Sequence, residues 1–148
     1  MAIPELDIAT GCLPPGIHEA TWGELTQAFG TSEQRRLLLD GLRKAADALQ
    51  GAGCKRLYVD GSFVTNKPAP NDFDGCWEAD GVNARALLEA APALLNFDKR
   101  REAQKAAFGG ELFIADDGTP TFLEFFQKDR NGDAKGIVAI DLTQKEQR

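Results

Sequence analysis

The chain has 148 residues, with apolar and charged fractions of 43% and 27% and a formal net charge of −6. That length fits one domain, 1–148, able to bury a core without disulfide or metal staples. The acidic balance argues against general DNA binding and against attraction to an anionic membrane, while leaving room for a local basic groove.

Three cysteines, Cys12, Cys54 and Cys76, lie far apart without a CxxC pair, and His18 is the only histidine. A disulfide scaffold and a Cys/His zinc site are therefore disfavoured, and the pattern suits a reducing, cytoplasmic setting. No apolar run approaches the roughly 20 residues needed to cross a bilayer. The opening MAIPELDIATGCLPPG lacks the cationic and apolar regions of a signal peptide.

Residues 1–16 hold three prolines and little periodicity, and read as an extended arm. Thr21 and Glu24 have capping-box spacing, which predicts a short helix ending near Gly30. Thr31 or Ser32 starts a second, longer helix. Its Leu38, Leu42, Ala45, Ala46 and Leu49 recur at three- and four-residue intervals, and Gly51 and Gly53 stop it. KRLYVDGSFV reads as a strand with Leu57 and Val59 on one face and Tyr58 and Asp60 on the other. Residues 65–71 form a Pro-containing loop, and DFDGCWEA is a second strand. Asn83 caps a helix reaching about Ala90, and Asp98 caps another, KRREAQKAAF, ended by Gly109-Gly110. ELFIAD is a third strand and KGIVAIDL the last. TFLEFFQ between them is ambiguous: Thr121 and Glu124 match a capping box, yet the aromatic density suits a strand. The element order is that of an α+β or α/β domain.

The stretch GSFVTNKPAPNDFDG carries the candidate chemistry. Residues two apart on a strand share a face, so Asp72 and Asp74 stand side by side while Phe73 points into the core. Two like charges on one face repel unless a cation lies between them, and Mg²⁺ is commonly held by one or two carboxylates plus substrate phosphates. Gly61 lets backbone approach a ligand closely, and the Ser62 hydroxyl with its neighbouring N–H groups suits phosphate oxygens. Lys67, in the intervening loop, is within reach of a triphosphate. Asn-Asp and Asp-Gly are also common turn dipeptides, so the pair alone is more often an ordinary turn, and it is the Gly-Ser context that favours a site. Lys99, Arg100, Arg101 and Lys105 form a basic run that reads as a solvated helix face, or as a phosphate- or RNA-facing patch if it borders the aspartates. His18, with no second histidine or evident base partner, reads as a hydrogen-bonded structural or surface histidine.

An apolar strand, Gly-Ser, nine residues and then Asp-x-Asp resembles the signature of the nucleotidyltransferase superfamily that includes DNA polymerase beta and the minimal bacterial nucleotidyltransferases. LPPGIHEATW and TFLEFFQKDRNGDAKGI extend the likeness over most of the chain. The resemblance implies a nucleotidyltransferase-like fold, a small mixed sheet of four or five strands flanked by helices. It implies Gly61 and Ser62 on the nucleotide phosphates and Asp72 and Asp74 as ligands of Mg²⁺ or Mn²⁺. A third carboxylate is expected from a later strand: Glu124 first, Asp116 as the alternative. The implied reaction moves a nucleoside monophosphate from a nucleoside triphosphate to a hydroxyl of a protein, RNA or small molecule. By the same resemblance the setting is a bacterial toxin–antitoxin or phage-defence system. The competing expectation is a catalytically inactive module of the same fold, binding or regulating a partner as an antitoxin does. A metal-dependent nuclease ranks last, for want of a water-activating base.

Overall fold

The computed structural model describes residues 3–143. Thr21 and Glu24 form the expected capping box at the head of α1 (Trp22–Phe29). Ser32 caps α2 (Glu33–Gly51) by accepting a hydrogen bond from the Arg35 amide. The apolar stripe of α2 is fully engaged: Leu38, Leu39, Leu42 and Leu49 are buried. Each contributes about 1.5–3 kcal/mol of burial free energy, which makes this helix the main anchor of its layer. At Gly41 a side chain would collide with the Phe108 carbonyl, so a glycine here lets the end of a later helix lie directly on α2.

Five strands form one mixed sheet: β1 (Gly16–Ala20), β2 (Arg56–Asp60), β3 (Phe73–Trp77), β4 (Gly110–Ile114) and β5 (Gly136–Asp141), in the order β1-β5-β2-β3-β4. β2 runs antiparallel to both β3 and β5, whereas β1 is parallel to β5 and β3 is parallel to β4. The fold is therefore α+β with a small mixed sheet, as expected. The alternation of side chains divides it cleanly. Leu57, Val59, Phe73, Trp77, Leu112, Val138 and Ile140 join the core under α1, α2 and α3 (Ala84–Ala90). Tyr58, Cys76, Ile137 and Ala139 join a smaller cluster on the opposite face with Phe113, Phe122 and Phe126. That second face is covered by α5 (Phe122–Phe125), so capping prevailed over aromatic density in TFLEFFQ.

β1 is a strand that periodicity does not show. It has one exposed apolar residue, Ile17, and holds its place by pairing with β5 rather than by its own burial. The arm before it lies on the domain, with Leu13 buried and Ile3 and Leu6 packed against the core.

The basic helix α4 (Asp98–Phe108) departs from expectation at its start. Lys99, Arg100 and Arg101 have φ of 50°, 54° and 59°, a left-handed turn before the right-handed helix begins. Such backbone costs roughly 1–2 kcal/mol per residue outside glycine. It places the Arg101 guanidinium 4.8 Å from the centre of the Phe97 ring and 3.8 Å from that of Phe113, which offsets part of the cost. Farther along, the buried Gln104 donates to the Leu94 carbonyl at 3.3 Å and accepts from the Leu112 amide of β4 at 2.7 Å.

Candidate functional site

The two register-defining pairings of β3 assemble a row of acids. Asp60 at the end of β2 lies opposite Asp74, and Asp74 lies beside Glu111 on β4. Neighbouring strands are about 4.8 Å apart, so the three side chains stand on consecutive strands on one face. Asp72 immediately precedes β3, and its charge acts on Asp74. The face of the three is that of Tyr58 and Cys76, opposite the main core. Asp60 is 4% exposed, and Asp72, Asp74 and Glu111 are half-buried.

Burial, and after it the crowding of like charge, shows in Asp74. Its carboxyl is pushed up to about 7, first by burial, then by Asp72, Glu111 and Asp60, with Lys135 opposing. Two lysines neutralise the flanks. The Lys135 ammonium, just before β5, pairs with Asp60 Oδ1, and Lys105 Nζ on α4 lies 3.3 Å from Glu111 Oε1. Burial raises Asp60 while Lys135 pulls it down.

Gly61 touches this row directly. Its φ of +84° is a left-handed conformation, and a Cβ there would sit 2.8 Å from Asp74 Oδ2. Ser62 opens a 3₁₀ turn, Ser62–Val64, and its carbonyl accepts from the Thr65 hydroxyl at 2.7 Å. The loop that follows is clamped from beneath by the buried Arg35 of α2. Its guanidinium donates to the carbonyls of Phe29 at 3.2 Å, Phe63 at 2.7 Å and Thr65 at 3.0 Å, and to that of Lys67. Gln34 holds the Pro70 carbonyl in the same way. The first turns of α2 thus fix the connection from Ser62 to Asp72.

The structure sets Gly61, with Ser62 after it, against Asp74 and its neighbour Asp72, and gives the other expected residues different local partners. Glu124 belongs to its own helix cap. Its Oε1 accepts from the Thr121 amide at 3.1 Å and hydroxyl at 3.0 Å, and these bonds hold the exposed carboxyl below its ordinary value. Asp116 lies in the turn beyond the far end of β4, at the opposite end of the strand from Glu111; burial first, then the charges of Asp60 and Asp116, raise the Cys76 thiol. Glu111, one residue after the Gly109-Gly110 stop, is the later-strand carboxylate that meets Asp74. Lys67 has an exposed side chain beside a shallow cleft with Phe29, Thr31 and Asn66, which none of the acids lines. His18 is structural, with Nε2 2.6 Å from the Pro14 carbonyl.

Residues 4–141 match a family of unknown function, DUF6932. The chain belongs to that family. No curated protein and no solved structure matches it.

In this DUF6932 chain the basic run does border the acids. Lys105 reaches Glu111, and the charge of Glu111 acts on Arg101. Lys99 and Arg100 project outward. Among the described residues no group of three or more His, Cys, Asp or Glu side chains forms a ready metal cage. Asp60 and Glu111 are each paired with a lysine. The donor set is nevertheless all oxygen. Two carboxylates, Asp72 and Asp74, suffice for an ion that takes its remaining ligands from phosphate and water, so the residues fit magnesium. Among the described residues no helix is long and apolar enough to cross a membrane.

Proposed function

We propose that this protein is a magnesium-dependent nucleotidyltransferase that transfers a nucleoside monophosphate from a nucleoside triphosphate to a hydroxyl acceptor, in the cytoplasm. The observation that carries this reading is the junction of Gly61 with Asp74: the turn suited to phosphate abuts the paired acids. Asp72 and Asp74 would hold the metal, with Glu111 completing the row in place of Glu124 or Asp116. Bound magnesium would supply neutralisation of phosphate charge. The Ser62 hydroxyl and the amides of the 3₁₀ turn orient the phosphate chain. Arg35 keeps that turn in register with Asp74 through its four carbonyl bonds. The acceptor oxygen bonds to the α-phosphorus as the bond to the β-phosphate oxygen breaks, pyrophosphate leaves, and the acceptor proton passes to water. Catalysis of this kind rests on positioning and electrostatics, so no nucleophilic side chain is required. A toxin–antitoxin or phage-defence role follows from the resemblance alone.

One observation favours the second reading, a catalytically silent binding or regulatory module. Lys135 and Lys105 already neutralise two of the four acids, leaving a less anionic site than two metal ions would meet. Calorimetry with MgATP and MgGTP tests both readings on the wild type and on the Asp72→Ala/Asp74→Ala double variant. Binding by the wild type, lost in the variant, supports the metal–nucleotide site. Absence of binding in both overturns the enzyme reading. Incubation with α-labelled nucleotide and lysate then separates transfer from binding.

A further inference from the structure

We propose that the left-handed turn Lys99–Arg101, with Phe97, is the seat of the acceptor, and that the acceptor is a single-stranded nucleic acid. This rests on the nucleotidyl-transfer reading and names its substrate class. Three observations converge on it. The chain is acidic overall, yet four of the seven residues from Lys99 to Lys105 are basic. That run is adjacent to the proposed site through Lys105 and Glu111, whose neighbour across the sheet is Asp74. Finally, the turn pairs charge with an aromatic surface. Arg101 lies over Phe97, a ring that is still 41% exposed, while Lys99 and Arg100 point into solvent.

A right-handed start to α4 would have been the cheaper backbone. The left-handed turn instead anchors Arg101 between two rings and frees its two basic neighbours. An exposed ring backed by a guanidinium is a stacking platform, and outward lysine and arginine beside it match a phosphate chain; together they are the elements of single-strand recognition. A phosphopeptide would use the charges and leave the ring idle. Asp98 and Glu102 lie in the same segment and limit the local excess of positive charge. Binding is therefore modest and strongly dependent on salt. With about three phosphates neutralised on a single strand, affinity falls roughly 20-fold between 50 and 200 mM salt.

The test is fluorescence anisotropy of a labelled ten-nucleotide single-stranded RNA with the full chain, its thermal midpoint measured alongside. The expected result is saturable binding with that salt dependence. Lys99→Ala/Arg100→Ala should weaken binding about tenfold at low salt and flatten the dependence. Phe97→Leu should weaken binding about fivefold or more while leaving the salt slope unchanged. No RNA binding by the wild type, or variants that bind RNA as the wild type does with unaltered melting, overturns the inference. So does equal binding of a phosphoserine peptide of matched charge. MgATP binding, read separately by calorimetry, keeps the two ideas apart: present without RNA binding, only the acceptor assignment fails; absent, the nucleotidyl-transfer reading itself fails.

Discussion

Replacing Arg35 by methionine isolates the clamp beneath the site. Methionine keeps most of the stem's packing and removes the guanidinium, which is 4% exposed and lies 5.5 Å from the centre of the Phe63 ring. Four carbonyls lose their donor. Those of Phe29 and Phe63 belong to buried residues, and each costs about 1–3 kcal/mol when left unpaired. Those of Thr65 and Lys67 are nearer the surface and can turn to water. Relief from burying the cation offsets part of the loss, since burial already lowers the pKa of Arg35. The net expectation is a destabilisation of about 3–4 kcal/mol, a large share of the roughly 5–15 kcal/mol typical of a domain. Urea unfolding should show it as a midpoint lower by about 1.5–2 M at an unchanged slope. MgATP affinity should fall as well, because the Ser62 turn would lose its register with Asp74. A stability change under about 1 kcal/mol would refute the view that these four bonds hold the loop.

Two further outcomes test the acid row. The Asp74 carboxyl, raised from 3.8 to about 7, keeps its proton in the folded chain across a range where the unfolded chain has lost it. Stability should therefore fall as pH rises from 4 through 7, with a ceiling of about 4 kcal/mol. Asp74→Asn should flatten that decline in urea titrations at pH 5 and pH 8, and parallel profiles for the two proteins would contradict the proposed crowding. For the third carboxylate, Glu111→Gln should weaken MgATP binding about tenfold by calorimetry, whereas Glu124→Gln should leave it unchanged; the reverse ranking would return the role to α5.

Local signals in the sequence carried most of the fold. The caps at Thr21, Ser32 and Asn83, the stripe of α2, and the alternation that sets Asp60 apart from Leu57 and Val59 all act within a few residues. The nearness of Asp72 to Asp74 is equally local, one residue before β3 and one within it. What stayed hidden depends on register between distant segments. Glu111 is a neighbour of Asp74 only once β4 is laid parallel to β3, and Lys135 meets Asp60 across 75 residues. Arg35 sits on a helix face where an arginine normally reads as exposed. The Phe29 carbonyl at the end of α1 and three carbonyls of a loop some 30 residues later explain its burial. Glu124 misled because one Glu can serve a cap or a metal, and Thr121, three residues before it, decides for the cap.

Gln104 has a consequence for how this molecule meets its neighbours. β4 is an outer strand, and an outer strand normally offers its amides as a template for another chain. Here the Gln104 side chain already occupies the Leu112 amide at the middle of β4, so a strand added on that flank would have to displace it. The opposite margin of the sheet is β1, its least buried strand. Strand addition therefore meets an obstacle on the side of the acids and the basic turn, at β4.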